Sequence, residues 1–228
     1  MIEWIKGLLW SKKIRHPRLV PPSYLNRHRG RCFLILGAGP SLIDYGNTIR
    51  RFIYREAPII LSANAAGVEF APDYVSFINR RRLCERAHLL TGGTYLIGPH
   101  IPEWIIRRYC TGAWERLPWV DSKDPFSIRG GIVQCDCGMS AGLLLASALV
   151  MGASEVWTAG VDGYADGAPV SALPLQRPDH DLARALDTQE RMRAVLPEII
   201  AAYRRQGVGG PWSLTPTRFE ALTLVEHV

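Results

Sequence analysis

Residues 31–42 read RCFLILGAGPSL, and the glycines and proline at the centre of this run are suited to chemistry carried out by the backbone. Gly37 and Gly39 lack a Cβ, so the chain can turn sharply there and come close to a bound group. Pro40 suits a first helical turn, where its missing N–H would be unpaired in any case. A buried strand ending in such a turn, with a helix start behind it, offers N–H groups and a positive dipole end to an anion such as a phosphate. The run departs from the dinucleotide fingerprint, because Leu42 stands where a third glycine would be needed. The next strand also ends in Asn64 instead of the acidic residue that would hold an NAD ribose. No Lys-Ser or Lys-Thr pair follows the glycines, which excludes a Walker loop. The turn therefore points to a nucleotide that is not a redox cofactor, with a purely structural strand-to-helix turn as the alternative.

Three further groups fall where a ligand could meet them. Residues 160–164, GVDGY, follow a strand at the edge where α/β proteins bind ligands. Arg80, Arg81 and Arg82 come straight after another strand and form the best phosphate-facing cluster in the chain, although such a run can also be a solvated face. His180 follows a Pro-, Gly- and Asp-rich loop, residues 162–179, and opens a helix. Its imidazole titrates near neutrality and could act as a base, while the loop could serve as a lid, bind an acceptor, or be structural. Metal chemistry finds little footing: Cys135 and Cys137 form a C-x-C pair with no matching pair elsewhere. Neither a Ser-His-Asp elbow nor H-E-x-x-H occurs.

With 228 residues, 47% of them hydrophobic, the chain can bury a full core, and one domain with a small appendage is expected. The net charge of +6 and pI near 9.2 favour anionic partners. No nucleic-acid module is recognisable, so a nucleotide, glycan or lipid is the expected partner class. Five cysteines without a regular framework point to reduced thiols and a cytoplasmic setting. No apolar run is long enough to span a bilayer, and the N-terminus lacks a small-residue cleavage site. In residues 1–30, expected to form an amphipathic helix and linker, Ile2, Ile5, Leu8 and Leu9 share a helical face ahead of Lys12, Lys13, Arg15 and Arg18. Residues 2–18 could lie peripherally on the inner membrane face or pack on the domain. Pro17, Pro21 and Pro22 make a short stiff linker.

The elements that must position these groups alternate. Strands are expected at residues 32–36, 59–63, 74–78, 94–97 and 155–159, with a last one at 212–214. Helices are expected at 42–54, 101–109, 139–152 and 181–205, and residues 114–132 read as turn-rich and irregular. This order predicts an α/β fold over residues 31–228, a mostly parallel sheet wound on both faces by helices.

Four pieces together, ILGAGPSL at 35–42, SANAA at 62–66, YVSFINR at 74–80 and SAGLLLASALVMGASEVWTAGVDGY at 140–164, make the chain resemble the bacterial sialyltransferases of glycosyltransferase family 42. It is also similar to a wider Rossmann-like group that includes archaeal hydroxymethyldihydropterin pyrophosphokinases and flagellin-glycosylation proteins. The resemblance covers most of residues 31–165. It implies a Rossmann-like doubly wound sheet and a cytidine nucleotide held against Gly37, Gly39, Pro40 and Ser41. It places Asn64 and Asn79 at the same cleft, with Ser140 and Gly142 lining it and Asp162 and Tyr164 closing the strand end. Tyr164 would then be the phosphate-side hydroxyl and His180 the catalytic base. Ala38 stands where the sialyltransferases have asparagine, which removes a polar contact.

The activity so implied is sugar transfer from a CMP-activated donor to a glycan or lipid-linked acceptor, with no metal or other cofactor. A Mg²⁺- and ATP-dependent pyrophosphokinase is the alternative from the pterin branch, but INRRR at 78–82 lacks the paired aspartates expected there. A non-catalytic nucleotide-binding protein is the third reading, and a homo-oligomer is left open.

Overall fold

The computed structural model describes residues 24–164 and 182–225. His180, most of the expected lid and the N-terminal segment lie outside the described residues.

Cys32–Leu36 form β1 at the centre of an eight-stranded sheet. All five residues are apolar, and the strand is buried on both faces. Phe33 and Ile35 point into one core and Leu34 and Leu36 into another, as the period-2 alternation of a strand requires. From β1 the chain runs outward through β2 (Ile59–Ala63), β3 (Tyr74–Phe77), β4 (Thr94–Ile97) and β5 (Trp114–Arg116), every pairing parallel. It then returns to the other flank of β1 with β9 (Glu155–Ala159), followed by β10 (Gly209–Ser213) and β11 (Thr223–Leu224), again parallel. The direction reverses between β1 and β9, so this doubly wound α/β sheet has its topological switch point at the glycine turn.

The outward crossovers carry α1 (Ser41–Asp44), α2 (Gly46–Glu56), α3 (Arg80–Arg86) and α4 (Glu103–Tyr109) on one face. The helix expected over 42–54 is broken at Tyr45, which has the non-helical φ of −104° and ψ of 16°. On the opposite face lie α5 (Ser140–Met151) and α6 (Leu182–Arg205). Eleven of the twelve α5 residues are buried, because sheet and α6 enclose the helix on all sides. Its small-and-apolar sequence suits that position, and each buried leucine contributes roughly 1.5–3 kcal/mol.

The structure revises several expectations. Residues 114–132 are not irregular: besides β5 they supply β6 (Trp119–Val120) and β7 (Ser127–Arg129), which join β8 (Ile132–Gln134) in a small second sheet. Strands of two or three residues are too short to show a period, and pairing alone defines them. The domain begins before residue 31, since Tyr24 is buried in the core and the amides of Asn26, His28 and Gly30 bond to carbonyls at the end of α5. Cys135 and Cys137, expected as reduced thiols, are joined in a disulfide. A bend at Cys135, just after β8, brings the two Cα atoms to 5.5 Å, within the range that a disulfide spans. No described helix is long and apolar enough to cross a membrane.

Candidate functional site

A cleft of about 300 Å³ opens at the carboxyl ends of β1, β2, β3 and β9, over the switch point. Gly37, Ala38 and Gly39 floor it beside Asn64, Asn79, Arg81 and Arg82. Residues 138–141, residues 160–164, Ala185 and Thr188 complete it. Among the residues expected at a site, Gly37, Gly39, Asn64, Asn79, Ser140, Asp162 and Tyr164 therefore meet at one place.

The glycines work differently from the expected phosphate cradle. The amides of Gly37 and Gly39 donate to the carbonyls of Ala159 and Gly160, both at 2.8 Å. The Ser41 amide donates to Asp162 Oδ2 at 2.8 Å, and the Ser41 hydroxyl lies 2.5 Å from Oδ1. The end of β9 and the loop after it, through two carbonyls and the Asp162 carboxylate, thus occupy the amides of Gly37, Gly39 and Ser41 that an external anion would use. What the glycines provide is close approach: a Cβ on Gly37 would stand 2.1 Å from the Gly160 carbonyl oxygen, and one on Gly39 would stand 2.4 Å from Asp162 Cγ. Pro40 and Ser41 lie behind the floor, in the turn and in α1. Burial pushes the Asp162 carboxyl above the usual carboxylate range, and the two Ser41 hydrogen bonds oppose that rise.

A helix end does face the cleft, but it belongs to α5. Met139 precedes its first turn without a capping side chain, and Gly138, Met139, Ser140 and Ala141 all line the space. The positive end of a twelve-residue helix therefore points there. Gly142, one step further in, does not reach the cleft. Its missing Cβ makes room for Met192, whose Sδ would be 2.5 Å away, so it is a packing glycine between α5 and α6.

Across the cleft, the Asn79 side chain caps α3 by accepting from the amides of Arg81 and Arg82 at 2.9 and 3.3 Å. This cap fixes the first turn from which both arginines reach the cleft, while Arg80 faces a separate groove near Trp104. Arg81 is ion-paired with Glu85 at 2.5 Å. Asn64 holds its left-handed φ of 53° with its amide on the Ser76 carbonyl at 2.9 Å. Tyr164 is tied through its amide to the buried Gln189 side chain. Burial raises its phenol above the ordinary value, and Arg82 pulls it back.

The chain after β10 braces the β9 loop. Thr215 Oγ1 accepts from the Gly160 amide at 3.0 Å, Thr217 Oγ1 donates to the Val161 carbonyl at 2.6 Å, and the Arg218 amide donates to the Asp162 carbonyl at 2.9 Å. Sequence reading missed this brace and the part played by Thr188 and Ala185. Isolated threonines and an alanine carry no spacing signal. Among the described residues no cluster of three or more His, Cys, Asp or Glu side chains could hold a metal ion.

Fold and cleft define a doubly wound α/β protein with an open cleft at its switch point, the position at which proteins of this architecture generally bind ligands. Neither a known protein family nor a curated protein matches the chain by sequence. Among solved structures, the MAf glycosyltransferase from Magnetospirillum magneticum AMB-1 is similar, with a TM-score of 0.56 and 18% identity over 89% of this chain. The chain spans 37% of the length of that protein, and what the two share is the fold.

Proposed function

We propose that the chain is a glycosyltransferase that takes a nucleotide-activated sugar, with a cytidine monophosphate as the nucleotide and a hydroxyl as the acceptor. The observation that supports this best is the convergence of the uncapped α5 end, Arg82 and Tyr164 on one cleft at the switch point. The phosphate of a CMP-sugar would lie between the amides of Ser140 and Ala141 and the Arg82 guanidinium. Asn64 and Asn79 would face the remainder of the nucleotide.

In the transfer, the bond between the sugar's anomeric carbon and the phosphate oxygen breaks and the acceptor oxygen bonds to that carbon. The electron pair leaves with the phosphate, and the acceptor proton passes to a base. Helix dipole, guanidinium and phenol would stabilise the departing charge in place, the kind of preorganised electrostatics that lowers such barriers without a metal. Tyr164, with its phenol held protonated by burial, can donate to the leaving oxygen. The base is assigned to His180 through the sialyltransferase resemblance. The solved MAf glycosyltransferase, which shares the fold, is in keeping with glycosyl transfer as the reaction class.

The test is thermal unfolding with CMP, CDP, UDP, ATP and NAD, each with Mg²⁺ and with a chelator. A nucleotide at a hundred times its Kd adds about 2.7 kcal/mol, which is about 5–11 °C for a domain of this size. Stabilisation by CMP that survives the chelator is expected. A response only to Mg-ATP, only to NAD, or to none would refute the proposal.

A further inference from the structure

A second cavity, of about 150 Å³, adjoins the cleft: Ile78, Gly138 and Met139 line both. Trp119, Asp121, Asp136 and Arg191 form the rest of its polar and aromatic wall. At ~30 Å³ of liquid per water it has room for about five waters, the scale of one sugar ring. Its chemistry is also that of a sugar site. An indole offers a flat π face to the polarised C–H face of a pyranose, and planar carboxylates and a guanidinium match vicinal hydroxyls. These groups are held in place beforehand. Trp119 Nε1 donates to the Cys135 carbonyl at 3.0 Å. Arg191 pairs with Asp136 at 3.0 Å and with Asp187 at 3.2 Å. Asp121 accepts no hydrogen bond from a described residue. Burial and the neighbouring Asp136 raise its carboxyl above the usual range, and Arg191 and His100 oppose that rise.

We propose that this side cavity binds one neutral or amino pyranose ring of the acceptor, stacked on Trp119 and hydrogen-bonded by Asp121, Asp136 and Arg191. The local carboxylate excess, Asp121, Asp136 and Asp187 against Arg191, disfavours a sugar that carries its own carboxylate. The assignment of the ring to an acceptor rests on the proposed glycosyl transfer; the binding of a pyranose does not.

Saturation-transfer NMR on the full chain tests it, with the methyl glycosides of glucose, galactose, mannose, N-acetylglucosamine and glucosamine, and of N-acetylneuraminic acid as the acidic control. At least one neutral or amino glycoside should bind, with saturating CMP present, and the acidic control should not. Asp121→Asn and Trp119→Leu should each raise the Kd at least tenfold while leaving the far-UV circular dichroism and the CMP-induced thermal shift unchanged. If Trp119→Leu fails to fold, Asp121→Asn alone decides, since Asp121 is an exposed residue. Silence from every neutral and amino glycoside, an unchanged Kd in Asp121→Asn, or displacement of the glycoside by CMP would overturn the inference. Glycoside binding without a CMP shift would leave the sugar site standing and sink the proposed nucleotide cleft. A CMP shift without glycoside binding would do the reverse.

Discussion

Replacing Gly37 with alanine puts the packing of the two strand ends to a direct test. The new Cβ would fall 2.1 Å from the Gly160 carbonyl oxygen, 2.6 Å from its carbon and 3.0 Å from the Val161 amide nitrogen. All three are backbone atoms, so no side chain can swing aside and the ends of β1 and β9 must separate. Overpacking typically costs about 1–3 kcal/mol, and the top of that range applies where backbone must move. Separation also lengthens the Gly39 amide bond to the Gly160 carbonyl, worth about 1 kcal/mol. The entropy that alanine removes from the unfolded chain returns only about 0.4–1 kcal/mol. The net loss is about 3 kcal/mol, a fall in Tm of about 6–12 °C for a domain of this size. Gly39→Ala supplies the internal comparison. Its Cβ would meet the Asp162 carboxylate, a side chain that can rotate away at the loss of its two Ser41 hydrogen bonds and regain water. Urea unfolding followed by circular dichroism should therefore rank Gly37→Ala as the more damaging change. A Gly37→Ala protein within about 1 kcal/mol of the parent would refute this account of the turn, because compensation on that scale requires strand ends that do not touch.

Arg82→Ala should weaken CMP binding ten- to a hundredfold, from the loss of a charge-assisted contact worth about 1.5–3 kcal/mol, and isothermal titration calorimetry reads it directly. Gly142→Ala should leave the CMP affinity within twofold of the parent: the thioether of Met192 is flexible, and about 1 kcal/mol of helix propensity offsets the crowding. A tenfold loss there would restore Gly142 to the binding site. The Asp162 carboxyl has its folded pKa raised above the unfolded one, so the folded state holds its proton longer. Stability from this group is therefore greatest below the ordinary carboxylate pKa and declines as pH rises through the folded value. Asp162→Asn should flatten that part of the stability profile between acid and neutral pH, as measured by urea midpoints. An unchanged slope would mean that burial does not govern this carboxyl.

Much of the framework could be read from local pattern. Residues 32–36, 59–63, 94–97 and 155–159 are largely apolar runs between turn residues and lie in strands of those bounds. The helix over 139–152 was legible to within a residue at each end, because small and leucine residues without a polar face leave a helix few places except an interior. The main sheet's edge strands β5 and β11 and the small second sheet of β6, β7 and β8 were not legible. Two or three residues have no period, and what makes them strands is their pairing with a neighbour.

The candidate site divides the same way. The glycine turn and the GVDGY loop were visible as unusual local sequences, and parallel β-α alternation was enough to place both at one sheet edge. Their physical roles were not visible. That the end of β9 and Asp162 take the donors of the turn, that the open helix end is that of α5, and that Gly142 serves Met192 all depend on contacts across as many as 122 residues of chain. The side cavity at Trp119 and Arg191 likewise joins a short strand to a helix some seventy positions away. The sequence by itself determined which of the longer segments would be strands and helices, because hydrophobic period and turn chemistry are local. Only the tertiary structure decided which donors stay open to a ligand, because a hydrogen-bonding group is free or occupied according to what the fold brings beside it.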